Sequence, residues 1–67
     1  MAGTVTNSVR ALREKRGMTQ EGLAGALGVS RQTVIAVERC KYIPSLPLAM
    51  AIGKLFRLPV EKIFRLE

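Results

Sequence analysis

The stretch from Thr19 to Arg39, TQEGLAGALGVSRQTVIAVER, constrains the fold more than any other part of the chain. The threonine that opens it can cap a helix, because its hydroxyl accepts from the free N–H groups of the first turn. Gly28 predicts the end of that helix, since glycine takes the left-handed conformation without a Cβ penalty. Ser30 is a second N-cap, and Val34 with Val37 gives the next helix a narrow apolar side. The stretch therefore predicts two short helices joined by a tight turn.

This arrangement is typical of the helix-turn-helix, whose second helix lies in the major groove of DNA. The charge of the chain is consistent with such a partner. Eleven Lys and Arg face five Glu and no Asp, which gives a net charge of +6. We expect nucleic acid as the first polyanionic partner and an anionic membrane as the second. A soluble basic surface without a partner is the plain alternative.

The chain resembles the phage-repressor and Cro-like helix-turn-helix family, also called the xenobiotic-response-element type. The residues that carry the resemblance are Thr19, Gln20, Leu23, Ala24, Leu27 to Ser30, Gln32 to Val34 and Glu38, with Leu12 and Arg13 upstream and Lys41, Tyr42, Pro44 to Leu46, Leu48, Ala49, Ile52, Phe56, Ile63 and Phe64 downstream. The resemblance implies a compact, all-α, lambda-repressor-like domain of five helices. It also implies a transcriptional regulator that binds double-stranded DNA, and we expect this regulator to be a repressor that blocks polymerase.

The length predicts a single domain over residues 1–67, with residues 1–6 as a flexible arm. The first helix is predicted from about residue 7 to residue 16. Ser45 is the natural N-cap of the fourth helix, and Pro59 begins a short fifth helix. One cysteine and no histidine argue against a disulfide or a structural zinc site, so no cofactor is expected.

The third helix, about residues 31–39, is expected to read bases. Arginine can form two hydrogen bonds with guanine, glutamine can do the same with adenine, and a small residue permits contact with a thymine methyl group. The predicted base-reading residues are Arg31, Gln32, Thr33 and Ala36. Ile35 also points outward on this helix, where it either touches a thymine methyl group or packs against the segment that follows.

Phosphate contacts are expected where helix ends and basic residues meet the DNA backbone. In the family, the residue that matches Gln20 hydrogen-bonds a phosphate, and helix N-termini attract anions. The predicted phosphate-binding residues are Gln20, Ser30, Arg39, Lys41 and Tyr42. Two alternatives stay open: Gln20 as a solvated first-turn residue, and the ring of Tyr42 as a cover for the edge of the core.

Arg13 and Glu38 have an expected structural role. In the family, the matching arginine and glutamate form an ion pair, which would tie the first helix to the third. Cys40 stands where the family commonly has glycine, so it must adopt a strained left-handed conformation or the turn must differ. We interpret this cysteine as a tolerated substitution, with a redox-sensing thiol as the alternative.

A homodimer on an inverted repeat is expected, because one such module supplies few DNA contacts. The fourth and fifth helices are the expected contact, and ordinary core packing is the alternative role for the same side chains. The candidate dimer-contact residues are Leu58, Val60, Phe64 and Leu66.

Other classes of function fit the sequence less well. The main rival is a protein-interaction module of antitoxin type, which would bind a partner protein and DNA. An enzyme is not expected, since the chain lacks His and Asp and has no phosphate-cradling glycine loop. No small-molecule pocket or membrane span is evident, since a span needs about 20 apolar residues. Because residues 1–8 do not resemble a signal peptide, a cytoplasmic location is the default.

Overall fold

The computed structural model describes residues 3–67 and contains five helices and two short strands in that part of the chain. In chain order, the elements are β1 (Val5–Asn7), α1 (Val9–Lys15), α2 (Gln20–Leu27), α3 (Arg31–Glu38), α4 (Leu46–Phe56), α5 (Val60–Ile63) and β2 (Phe64–Leu66). The prediction of five helices is confirmed. The all-α prediction is wrong in one respect, because the two strands pair with each other.

The pairing of β1 with β2 also corrects the prediction of a flexible arm over residues 1–6. The strands are antiparallel, with Val5 opposite Leu66, and the main chains of Thr4 and Glu67 exchange hydrogen bonds of 3.0 and 2.7 Å. These bonds satisfy backbone groups of residues 4–6, which are therefore ordered. The first part of the predicted arm, residues 1 and 2, lies outside the described residues.

The first helix begins two residues later than predicted, because Asn7 belongs to β1. The Asn7 side chain still organises the start of α1: its Oδ1 accepts from the Val9 N–H at 3.0 Å. Its Nδ2 donates to the Val37 carbonyl at 2.9 Å, which links the start of α1 to α3.

The helix boundaries in the middle of the chain follow local capping chemistry. The side chains of Thr19, Ser30 and Ser45 each accept from a backbone N–H in the first turn of α2, α3 and α4, respectively. Gly28 ends α2 with φ +72°, the left-handed conformation that its position requires. All four predicted caps are confirmed, and each depends on residues only a few positions apart.

The core is apolar and draws on every helix. Leu23 from α2, Ile52 from α4 and Ile63 from α5 are almost fully buried, together with Val9 from α1 and Val34 from α3. They form one cluster, which Phe56 and several half-buried side chains complete. No helix within residues 3–67 is long and apolar enough to cross a membrane.

Two helices end on non-glycine residues with positive φ. Cys40 follows α3 with φ +59°, so the predicted strained conformation is present there. Arg57 ends α4 with φ +58°, which the sequence did not predict. A second arginine, Arg16, follows α1 and supports the end of α4: it donates to the Leu55 carbonyl at 3.0 Å, and its guanidinium lies 5.2 Å from the centre of the Phe56 ring.

Candidate nucleic-acid interface

Helix α3 separates its apolar residues from its polar residues. Val34 and Val37 are buried against the core, whereas Arg31 and Gln32 are exposed in the first turn. Ser30 precedes α3 as its N-cap and orients this turn. Its Oγ accepts from the Thr33 N–H at 3.1 Å and lies 3.0 Å from Thr33 Oγ1. The first turn of α3 therefore presents two long polar side chains on an ordered backbone.

Three helices of the chain surround an open cleft of about 750 Å³. We call it the arginine cleft, and its lining residues are Arg10, Arg13, Thr19, Gln20, Glu21, Arg31, Glu38 and Arg39. Of the predicted DNA contacts, it brings together Gln20, Arg31 and Arg39. The other predicted contacts, Ser30, Gln32, Thr33, Ala36, Lys41 and Tyr42, are not part of its lining.

A buried ion pair between Arg13 and Glu38 underlies this cleft. Arg13 Nε lies 2.6 Å from Glu38 Oε2, and a second bond of 3.3 Å joins Nη2 to Oε1. Arg13 Nη1 also donates to the Met18 carbonyl at 2.8 Å. The hydrogen bond to Glu38 raises the pKa of Arg13 above its ordinary value, although burial opposes this shift. Arg13 therefore remains charged throughout the usual pH range, and the pair joins α1, α3 and the turn before α2.

Gln20 is the first residue of α2, and its side chain is attached to this ion pair. Its Nε2 donates to Glu38 Oε1 at 3.2 Å, so the Glu38 carboxylate receives hydrogen bonds from both Arg13 and Gln20. The Gln20 side chain is therefore held by a hydrogen bond within the chain, whereas the alternative interpretation had it surrounded by solvent. An amide nitrogen carries two N–H groups, so one remains for another acceptor while the first holds the side chain in place.

The predicted phosphate contacts after α3 lie on an exposed connection. Arg39, Lys41 and Tyr42 are all exposed. Cys40 follows Arg39 and is exposed, with its sulfur 3.8 Å from Asn7 Nδ2. The connection therefore offers two cations and one phenol to solvent.

The comparison with known proteins agrees with this geometry. A family model described as Helix-turn-helix matches residues 9–63, which is most of the chain and includes all five helices. The chain belongs to the Cro/C1-type helix-turn-helix family.

Individual relatives of this helix-turn-helix chain are similar along nearly their whole length. An uncharacterized HTH-type transcriptional regulator of Methanocaldococcus jannaschii is 51% identical over 61 residues, which cover 91% of this chain and 92% of the relative. YgzD of Bacillus subtilis, also described as an uncharacterized HTH-type transcriptional regulator, is 48% identical over 61 residues with the same coverage of 91% and 92%. The fold is also found in a crystal structure of a candidate DNA-binding protein from Bacteroides fragilis. That structure has a TM-score of 0.79 at 20% identity and covers 91% of this chain and 98% of its own.

The candidate dimer-contact residues of this helix-turn-helix domain lie in different surroundings. Leu58 and Phe64 are half-buried and pack against the chain's own core, and Val60 is half-buried as well. Leu66 is 76% exposed and belongs to β2. The alternative of core packing therefore describes Leu58 and Phe64 in part, whereas the Leu66 side chain is mostly exposed.

Larger exposed apolar side chains occur at the start of α4, where the sequence interpretation assigned none. Leu46 is 69% exposed and Met50 is 57% exposed, and both line a shallow depression on this helix. Met50 also lines a groove of about 530 Å³ between α4 and α5, together with Leu58 and Val60. We call the surface formed by Leu46, Met50, Leu58 and Val60 the apolar face.

Three lining residues of the arginine cleft were not among the predicted DNA contacts or the predicted ion pair: Arg10, Thr19 and Glu21. Of these, Thr19 was interpreted only as a helix cap. Helical spacing could have identified Arg10, because it precedes Arg13 by three positions and residues so spaced are neighbours on a helix surface.

Proposed function

We propose that this chain is a sequence-specific double-stranded DNA-binding regulator of transcription, with α3 in the major groove. The observation that carries the proposal is the exposure of Arg31 and Gln32 in the first turn of α3, beside a cleft lined by further arginines. In helix-turn-helix docking, the N-terminal residues of the second helix contact the base edges. Arg31 and Gln32 are thus the primary base readers. Thr33 and Ala36 are half-buried, so less of each side chain is exposed for contact with a base.

The arginine cleft and the connection after α3 supply the phosphate contacts in this proposal. Gln20 is held by Glu38 at the N-terminus of α2, where helix polarity favours an anion. Ser30 caps the N-terminus of α3, and Arg39, Lys41 and Tyr42 follow that helix. With about four phosphate contacts per subunit, log K of a dimer falls with log salt at a slope near −7, from about 0.9 per phosphate.

A second copy of the chain is the proposed occupant of the apolar face. A two-fold dimer doubles the DNA contacts and places two α3 helices on half-sites about 34 Å apart. The apolar face adjoins the connection that follows α3, and its Leu46 and Met50 are large, apolar and mostly exposed in the single chain. Burial of such side chains is the main favourable term in association. Leu58 and Val60 extend the contact, while Phe64 and Leu66 belong to β2.

Repression is the proposed direction of regulation. A dimer bound at an operator that overlaps a promoter excludes polymerase from the same DNA, and this effect needs no contact beyond those to the DNA itself. The proposal therefore requires only the interface described above.

The test is a selection from a random pool of DNA duplexes with the purified protein at moderate salt. The expected result is an enriched inverted repeat whose half-sites are about one helical turn apart. If no motif is enriched, the proposal of a sequence-specific regulator is wrong. The weight then moves to an interaction module of antitoxin type, for which a partner protein would have to be identified.

A further inference from the structure

The charges of the arginine cleft leave three arginines without a buried partner. Arg13 and Glu38 neutralise each other in their ion pair. The remaining charged residues of the lining are Arg10, Arg31 and Arg39 against Glu21. Arg31 and Arg39 belong to the region of α3 and already have proposed DNA contacts. Arg10 is the remaining cation, and it comes from α1, which has no proposed contact with DNA.

The side chain of Arg10 is only weakly held by its own chain. Its Nε donates to Glu14 Oε2 at 3.1 Å, one helical turn further along α1, and the two side chains are 71% and 55% exposed. Exposed pairs of this kind contribute little to stability. Among the hydrogen bonds of residues 3–67, Arg10 uses Nε alone, so its two terminal nitrogens are available to another acceptor.

The cleft also contains the N-terminus of α2, an eight-residue helix whose cap is Thr19. The Thr19 hydroxyl accepts from the Gly22 N–H at 2.9 Å, while the N–H groups of Gln20 and Glu21 have no acceptor in residues 3–67. The two residues that carry these amides line the same cleft as Arg10, and both backbone N–H groups and a guanidinium suit a phosphate oxygen. The Glu21 carboxylate opposes an anion here, and it is outnumbered by the three arginines.

We infer that Arg10 is a further phosphate-binding residue, which brings α1 into contact with the DNA backbone at the N-terminus of α2. This inference rests on the proposed function, since it assigns an additional contact to the same interface. When DNA binds, a phosphodiester oxygen accepts from a terminal nitrogen of Arg10, and the Glu14 carboxylate, which holds Nε of the same guanidinium, opposes the incoming anion. Glu14 therefore weakens the attraction of this side chain for DNA.

The test measures the salt dependence of binding to a random-sequence duplex of about 30 base pairs, because phosphate contacts do not depend on sequence. Arg10→Gln removes the contact in both subunits, so the slope of log K against log salt should become less steep by about 1.8. Affinity at moderate salt should fall roughly 10- to 100-fold. Lys15→Gln is the matched control, because it removes a charge from the same helix at an exposed position outside the cleft. It should leave the slope nearly unchanged.

Glu14→Gln provides an independent readout that does not weaken the interface. It releases Arg10 and removes a negative charge, so binding should become several-fold tighter. Equal slopes for the Arg10→Gln and Lys15→Gln proteins would overturn the assignment of Arg10 while leaving the proposed function intact. Weaker binding by the Glu14→Gln protein would overturn it as well. If the wild-type protein bound no duplex, the proposed function and this inference would fail together.

Discussion

The arginine cleft and the apolar face differ in how their exposed side chains are held by the rest of the chain. The cleft contains polar side chains that are already held in place by hydrogen bonds within the chain, above all the contacts of Glu38 with Arg13 and Gln20. The apolar face contains Leu46 and Met50, which have no such contacts and are mostly exposed. Preorganised polar groups suit a ligand that is read by geometry, and exposed apolar groups suit a partner that covers them. In the proposed function, one small domain therefore uses separate surfaces for DNA recognition and for assembly.

The largest expected effect is the loss of the ion pair beneath the cleft. Glu38→Ala strands the buried Arg13 charge and should reduce the free energy of unfolding by about 3–5 kcal/mol. A domain of this size has little more stability than that, so much of the protein should be unfolded at room temperature. Urea denaturation followed by circular dichroism measures the loss.

Glu14→Ala is the matched control, since it breaks an Arg–Glu pair that is exposed. Its cost should stay below about 1 kcal/mol. Similar losses for the two variants would contradict the structural role of the Arg13–Glu38 pair.

The next effect concerns the apolar face. Leu46→Glu places a charge in the proposed contact between two copies, so the dimer dissociation constant should rise by at least about 100-fold. The fold should tolerate this change, because the residue is exposed and a glutamate is favourable in the first turn of α4. Sedimentation equilibrium measures the association.

Leu66→Glu changes an exposed leucine on β2 and should leave the dimer intact. Dissociation of the dimer by Leu66→Glu, with no effect of Leu46→Glu, would move the contact to the two-stranded sheet. A wild-type chain that is monomeric at all concentrations would show that no second copy covers the apolar face.

A pair of glycines distinguishes the packing of the two regions. Gly53 lies in α4 beside the groove of the apolar face, and an added Cβ would lie 2.8 Å from the Leu58 carbonyl oxygen. Gly53→Ala should therefore destabilise the fold by roughly 1–3 kcal/mol. Gly25 lies in α2, and an added Cβ would meet nothing within 4 Å. Gly25→Ala should stabilise the fold by about 0.8–1 kcal/mol.

Thermal denaturation of both glycine variants tests this contrast. A lower melting temperature for Gly53→Ala and a higher one for Gly25→Ala are expected. Two shifts of the same sign would contradict the difference in space around the two glycines, which is open at Gly25 and closed at Gly53.

The smallest expected effect is relief of strain at the two helix ends. Cys40 follows α3 and Arg57 follows α4, and both have positive φ. Replacement of either residue by glycine should stabilise the fold by roughly 1 kcal/mol. A non-glycine residue is destabilised by about 1–2 kcal/mol in this conformation. Glycine removes that strain but also increases the conformational entropy of the unfolded chain, which offsets part of the gain. Urea denaturation of Cys40→Gly and Arg57→Gly measures the gains, and a loss at either position would argue against strain there.

The parts of the fold that depend on neighbouring residues could be predicted from the sequence. The caps at Thr19, Ser30 and Ser45 and the turn at Gly28 each need only a few adjacent positions, and all are present. The two-stranded sheet could not be predicted in this way. Its strands have three residues each and join Val5 to Leu66, so neither is long enough to show a period of two, and no local signal indicates its partner.

The candidate site was also predictable only where it depends on residues close together in the sequence. The polar first turn of α3 follows from helical spacing around Val34 and Val37, and the structure places it at the surface. The bond from Gln20 to Glu38 was not predictable, because it depends on how α2 and α3 cross after folding. The exposure of Leu46 and Met50 was missed for a similar reason: an apolar residue on an apolar helix looks like core until the packing of its neighbours is known.

The central claim is that the first turn of α3 reads bases while the residues around it hold the DNA backbone. The most direct measurement repeats the selection from random duplexes with Gln32→Ala and compares its motif with that of the wild-type protein, with Arg39→Gln as the phosphate-contact control. The account predicts that Gln32→Ala loses about 1–3 kcal/mol of discrimination at one base pair of each half-site, whereas Arg39→Gln binds all sequences more weakly and keeps the motif. An unchanged motif with Gln32→Ala, or a new motif with Arg39→Gln, would contradict it.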